Sequence, residues 1–281
     1  MPHLPHKGLF VLNVVLEVVF VYVFHWGIAG SAAGTAIAQG LMGAAFVVEL
    51  LRPHARSKRP SVREIRPMVR VGRQIFVRTV ALYASFLVAA SLCARIGDAQ
   101  IAAHQIAFQL FIFLALLLDA VAIAGQVIVG RMLGAGDTDG AYAAAARMIA
   151  WAVAIGTVFG VVLLPLLHVV PRAFTTDPRT LHEAAALWPY FALMQPLGGA
   201  VFALDGILIG ASDTRYLMWS MLAASAIFAA IAALSLALGW GIVGVWIGLD
   251  VLIAARLAFL GVRFAGRRWA VVGWAWHPTG D

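Results

Sequence analysis

Asn13-Val14-Val15-Leu16-Glu17 runs through an unbroken apolar stretch to His25-Trp26-Gly27-Ile28-Ala29-Gly30, and the chain returns through Ser31-Ala32-Ala33-Gly34-Thr35. Two apolar helices meeting at Trp26 make a hairpin, with Glu17 and Thr35 each nine residues from the turn. At ~1.5 Å of rise per residue, both sit roughly 13 Å in from the same membrane face. Asn13 lies one turn from Glu17, on the same side of its helix. An acid, an amide and a hydroxyl therefore share one depth where acids are costly.

The composition agrees with a membrane setting. Of 281 residues, 63% are hydrophobic and 12% charged, against roughly 25% charged in soluble domains. The mean hydropathy is +0.93. The net charge of +7 sits in short basic runs between apolar blocks, which reads as topology rather than as a nucleic-acid face. Cys93 is the only cysteine, so a disulfide framework and a cysteine-based metal site are excluded. The histidines are scattered without metal-ligand spacing; His3 and His6, the closest pair, read as an exposed leader. No metal or cofactor is expected. There is no Walker motif for ATP, and no metal-ligand motif or nucleophile–base pair at helical spacing, so an enzyme is disfavoured. Leu9 to Phe24 has the length of a signal-peptide core, but Glu17 at its centre and the apolar block that follows argue against one.

Blocks long enough to cross a core of ~30 Å fall at Leu9–Phe24, Ile28–Leu51, Gln74–Ala94, Ile101–Met132, Met148–Val170, Leu187–Ile209, Leu217–Leu238 and Ile242–Val262. The predicted fold class is all-α, a polytopic transmembrane bundle of about eight helices. Lys7, the run from Arg52 to Arg73, Arg131, Arg147, Arg215, Arg263, Arg267 and Arg268 fall on one side, and only Arg95, Arg172 and Arg179 on the other. This bias predicts that both termini lie in the cytoplasm. Pro53, Pro60 and Pro67 mark 52–73 as a basic linker between two bundles, 74–268 as the second bundle and 269–281 as a tail.

His25-Trp26-Gly27-Ile28-Ala29-Gly30, followed by Gly34, returns 214 residues later as Gly239-Trp240-Gly241-Ile242-Val243-Gly244, followed by Gly248. Both copies join two apolar helices on the same side, a parallel repeat of the kind found in transporter halves. The repeat predicts that residues 1–51 are the last two helices of a first six-helix lobe and that 74–268 is a complete second lobe. A first lobe of equal length would begin roughly 140 residues before Met1.

The chain resembles the multidrug and toxic compound extrusion (MATE) family, in its DinF-like branch. The resemblance rests on Ala102-Ala103-His104-Gln105-Ile106, on Gly130-Arg131-Met132-Leu133-Gly134-Ala135-Gly136-Asp137, on Gln195-Pro196 and on Leu204 to Arg215. It implies a twelve-helix protein of two lobes, of which these would be the fifth to twelfth. It also implies a cation-driven antiporter in which protons or sodium ions enter while amphipathic, often cationic, compounds leave. In the family pattern an Asn and an acid four residues apart on the fifth helix, and a Thr on the sixth, hold the cation. Asn13, Glu17 and Thr35 match these, with Glu for the commoner Asp. The partner acid on the first helix has no position here. A second cation site known in another branch would fall near Leu82 and Gly198, which have no suitable side chains.

Glu17 is read as a proton carrier, the alternative being a permanently protonated structural acid bonded to Asn13 and Thr35. Arg78, Asp119, Asp205 and Asp250 lie inside predicted helices of the second lobe, and an Arg78–Asp205 pair would neutralise charge there or hold helices together. Arg256 is expected to snorkel to the cytoplasmic face. Trp269, Trp274 and Trp276 read as an interfacial belt, and Gly27 to Gly34 as close helix packing. The expected partners are the lipid bilayer of the inner membrane, a proton or sodium ion, and small amphipathic substrates. Two alternatives stand beside this: an inactive remnant of such a transporter, and a lipid or lipid-linked sugar flippase with a basic cavity.

Overall fold

The computed structural model describes residues 13–51 and 62–271, in two compact units, Met1–Glu64 and Ile65–Asp281. The described residues hold helices and turns and no strand. Six of the helices are long and apolar enough to cross a membrane.

The first unit contains α1 (Asn13–Val23) and α2 (Gly27–Leu51). The last turn of α1, Val19–Val23, is π-helical, and the wide turn ends where Trp26 N–H donates to the Phe20 carbonyl at 3.0 Å. His25 and Gly27 take positive φ angles of 54° and 53°, which reverses the chain within three residues. Two glycines one turn apart on α2 then let it lie directly on α1. A Cβ on Gly30 would stand 2.8 Å from the Phe20 carbonyl oxygen, and one on Gly34 would stand 3.3 Å from the Glu17 nitrogen. This is the small-xxx-small contact by which apolar helices associate without a hydrophobic driving force.

The second unit comprises α3 (Val62–Ile96) from Ile65 onward, α4 (Asp98–Gly134), α5 (Thr138–Leu163), a 3₁₀ turn at Pro165–His168, the short α6 (Val170–Phe174), α7 (Pro178–Gly210), α8 (Thr214–Leu238) and α9 (Gly241–Ala265). The expected linker is therefore helical from Val62 onward, and 52–61 lie outside the described residues. The fifth predicted block begins ten residues earlier than its hydropathy indicates, because Gly136 and Asp137 set the boundary. Gly136, at φ 87°, ends α4 with its N–H on the Leu133 carbonyl and the Asp137 N–H on the Met132 carbonyl. The Asp137 side chain then caps α5 by accepting from Gly140 N at 2.8 Å. Gly134-Ala135-Gly136-Asp137-Thr138 is echoed by Gly210-Ala211-Ser212-Asp213-Thr214 between α7 and α8, where Ser212 takes the left-handed position at φ 61°.

The axis of the unit is α7. Glycines open its path: Gly206 and Gly210 bring its backbone onto Ala122 and Gln126 of α4, and Gly199 brings it onto Ala152 of α5. Gly156 and Gly160 of α5 accept the backbone of α7 at Gln195 and Ala192. Pro196 supplies no N–H to the Ala192 carbonyl, and that carbonyl faces the Cβ-less side of Gly160. Trp188 of α7 donates its indole N–H to the Leu163 carbonyl at 2.7 Å, satisfying an orphan group at the end of α5.

The α8–α9 hairpin repeats the first unit's geometry. Gly239 and Gly241 have φ angles of 66° and 63°, matching His25 and Gly27. A Cβ on Gly248 would meet Phe228 at 3.3 Å and Ile231 at 3.6 Å, and Ile231 occupies the position equivalent to Glu17. Trp269 is not interfacial: it is 1% exposed and stacks on Phe264 at 5.5 Å. Trp274 and Trp276 lie outside the described residues.

Candidate functional site

In the first unit, Ser31 Oγ donates to Glu17 Oε1 at 2.6 Å. Asn13, half-buried one turn before Glu17, has its Oδ1 enclosed and without a donor. Thr35, half-buried, follows Ser31 by one turn of α2, so both hydroxyls share the face that Gly34 holds against Glu17. The hydroxyl that bonds the acid is Ser31. Sequence reasoning passed over it, although its four-residue spacing from Thr35 was the available signal. The arrangement is an exposed carboxylate held by one hydroxyl, with the Asn13 amide one turn before it on the same helix, and oxygen ligands of this kind suit a proton or a hard cation.

In the second unit, the predicted Arg78–Asp205 pair forms between α3 and α7, with Arg78 Nη2 on Asp205 Oδ2. Arg256 of α9 does not snorkel. It is 4% exposed, and its Nη2 reaches the same Oδ2 at 2.5 Å. A carboxylate facing its helix offers more than the distant interface does. Oδ1 of Asp205 has no partner. Asp119 and Asp250 are not joined to these three. Asp119 is exposed on α4, and Asp250 is buried on α9 with neither oxygen bonded.

The motif that follows Asp205 supplies further ties at the same end of the unit. Asp213 accepts from Arg263 Nε at 2.6 Å, and that guanidinium lies 4.9 Å from the Tyr216 ring centre. Thr214 Oγ1 donates to Gln74 Oε1 at 2.6 Å, joining α8 to α3. Asp205, Asp213 and Thr214 of Leu204–Arg215 are thus interhelix links. Among the aromatic side chains of α3 and α4, Phe108 and Phe111 pack with Phe86, while Tyr83 and Phe113 are exposed. No group of three or more potential metal ligands is found among the described residues.

Comparison with known proteins follows the same lines. A family model described as MatE matches residues 75–234, from α3 into α8. Protein DETOXIFICATION 42 of Arabidopsis thaliana is 30% identical over 257 residues, covering 88% of this chain and 48% of that protein. The probable multidrug resistance protein NorM of Xylella fastidiosa (strain 9a5c) is 29% identical over 256 residues, covering 85% and 53%. A crystal structure of MATE in the bent conformation aligns with a TM-score of 0.75 at 16% identity, covering 92% of this chain and 58% of that one. The chain spans about half the length of the curated relatives it matches. Six apolar helices, the glycine-lined crossings of α7 and a family match over more than half the sequence agree, and this multi-pass membrane chain belongs to the MatE family.

Proposed function

We propose that the chain works in cation-coupled antiport, with a proton or sodium ion taken up at Asn13, Glu17 and Thr35 while small amphipathic, often cationic compounds are exported. The observation that carries this reading is the Ser31–Glu17 hydrogen bond at a glycine-tight crossing, with the Asn13 amide oxygen left unbonded beside it. A carboxylate with one oxygen held by a hydroxyl and neighbours able to turn toward it can exchange its ligand without rebuilding the helices. Coupling arises if the two packings of the hairpin differ in cation affinity, because a ligand shifts an equilibrium only by its differential affinity. The printed names of the relatives, detoxification and multidrug resistance, support the substrate class. Their kind supports a transporter rather than an enzyme.

The arginine bias toward the end that carries Arg131, Arg215 and Arg263 supports an inner-membrane orientation with both termini cytoplasmic. A flippase would need free basic groups in its cavity. Arg78 and Arg256 are both committed to Asp205, so the antiport reading is preferred.

The test is flux through proteoliposomes that hold the 281-residue chain and a pH dye. An inward proton gradient should dissipate faster when an amphipathic cation is trapped inside, and Glu17→Gln should abolish the difference. Equal rates for wild type and Glu17→Gln overturn the reading, and replacing the proton gradient by a sodium gradient identifies the ion.

A further inference from the structure

Three buried polar side chains of the second unit have unpartnered atoms that the antiport reading does not use. Asp250 of α9 is 9% exposed with both carboxylate oxygens unbonded. His104 of α4 and Trp246 of α9 are each 1% exposed, with Nδ1 of the one and Nε1 of the other unbonded. Buried polar groups are nearly always satisfied in folded proteins, so each of these is unusual and three along one seam need a common explanation.

His104 and Asp250 each adjoin Trp246. The rings of His104 and Trp246 meet edge to face with centroids 5.7 Å apart. Trp246 and Asp250 are four residues apart, one above the other on the same face of α9. Phe108 stacks on His104 at 5.6 Å, and Phe191 of α7 meets Trp246 at 5.8 Å, so aromatic rings wall the cluster. Gln195, buried one turn along α7 from Phe191, does not serve it, since its Nε2 donates to the Phe191 carbonyl at 3.0 Å.

The arginines further along α9 are already paired. Arg256, further along α9, is held by Asp205 of α7, which also takes Arg78 of α3. Arg263 is held by Asp213. From α8 comes Tyr216, whose hydroxyl donates to the Phe259 carbonyl at 2.8 Å. From α4 comes His104, while Asp98 and Asp119 of that helix are exposed. Arg131, Arg147 and Arg215, for which no carboxylate partner is found among the described residues, are exposed, so no buried cation among the described residues is free to offset an ionised Asp250, and an isolated buried charge is strongly disfavoured.

The donor set also selects the ligand. Sodium and other hard cations want a shell of oxygens, and here there is one carboxyl group. A transition metal would find one imidazole and one carboxylate, too few for a site. The indole N–H only donates. A proton needs one acceptor and a neighbour able to answer the change of charge, and the cluster has both.

We infer that Asp250, with His104 and the Trp246 indole beside it, forms a proton-binding site in the second unit, separate from Glu17. In the neutral form the Asp250 O–H is a donor. On losing the proton to water, the carboxylate becomes an acceptor for the Trp246 N–H one turn away, and the His104 imidazole lies against that same indole. The role of this proton in transport rests on the antiport reading, whereas its binding does not, and the experiment measures binding alone.

The full chain in lipid nanodiscs is titrated without substrate or gradient while infrared difference spectra follow the C=O stretch of protonated carboxyls. A band that fades as pH rises is expected. It should vanish in Asp250→Asn, shift in frequency in Asp250→Glu, move its midpoint in His104→Gln and survive in Glu17→Gln. If Asp250→Asn does not fold, Asp250→Glu carries the test. The inference is overturned if the pH-dependent carboxyl bands are the same in the wild type and the folded Asp250 variants, or if the band assigned to Asp250 persists unchanged at every pH.

Discussion

Ser31 Oγ bonds Glu17 Oε1 at 2.6 Å from the face of α2 that Gly34 presses against α1. A hydrogen bond to a charged group is worth about 1.5–3 kcal/mol. Removing it while Gly34 still holds the helices together leaves Glu17 in place but less well fixed. Ser31→Ala should therefore slow substrate-dependent proton flux in proteoliposomes roughly tenfold or more, at about 1.4 kcal/mol per tenfold if the bond matters at the barrier. Ser31→Thr, which keeps the hydroxyl, should recover most of the rate. An Ala variant as fast as wild type would assign Ser31 a packing role only.

The turn preceding Ser31 offers a test of the repeat. His25 and Gly239 hold the same left-handed position, at φ 54° and 66°. A side chain there costs roughly 1–2 kcal/mol, partly offset by the greater unfolded-state entropy of glycine. His25→Gly should stabilise the first hairpin by up to about 1 kcal/mol, and Gly239→His should destabilise the second by a similar amount. Reversible unfolding in mixed micelles would read both, and opposite signs are the expected result.

Much of the architecture was legible because hydropathy marks every long helix, and the repeat was legible because the Trp-Gly-Ile turn has few alternatives. What escaped was set by contacts without a sequence period. The start of α5 at Thr138 is fixed by a glycine in the left-handed conformation and an aspartate cap, and its first ten residues to Arg147 are too weakly apolar for hydropathy to mark. Arg256 reads as interfacial in the sequence because its long side chain reaches there in isolation, while its partner Asp205 lies 51 residues away on another helix. In the site, counting residues from Trp26 places Glu17 and Thr35 at one level of the hairpin. That Ser31 bonds Glu17 depends on how the faces of α1 and α2 are rotated, which no residue count gives.

Asp205 is the shared anion of two buried arginines, with side-chain exposures of 14% for Arg78 and 5% for Arg256. Removing it leaves two uncompensated cations inside the unit, and breaking a buried pair costs about 3–5 kcal/mol. Asp205→Ala should therefore lower the unfolding free energy by at least that much. Arg78→Met should cost less, because Arg256 continues to neutralise the carboxylate. The double variant Asp205→Ala/Arg78→Met should recover part of the loss. Denaturant titration of the four proteins gives the coupling, and strict additivity would show that the two side chains do not act as a unit.

Asp177 gives the acid-dependent prediction, because it stands outside the spans at the head of α7. Its Oδ2 accepts from the Thr180 hydroxyl at 2.7 Å and from the Thr180 N–H at 3.0 Å. These bonds, the hydroxyl first, hold its carboxyl below the usual aspartate range. A carboxyl depressed by folding stabilises the folded form above its unfolded pKa of about 3.9, and the benefit fades as pH falls through the lower folded value. The first turn of α7 should therefore lose hydrogen-exchange protection at Arg179 and Thr180 below about pH 4. Asp177→Asn should show no such acid-dependent loss, since its amide still accepts but does not titrate. Equal pH dependence in the two proteins would mean that the start of α7 is held by Pro178 and packing, with the cap carboxylate adding nothing.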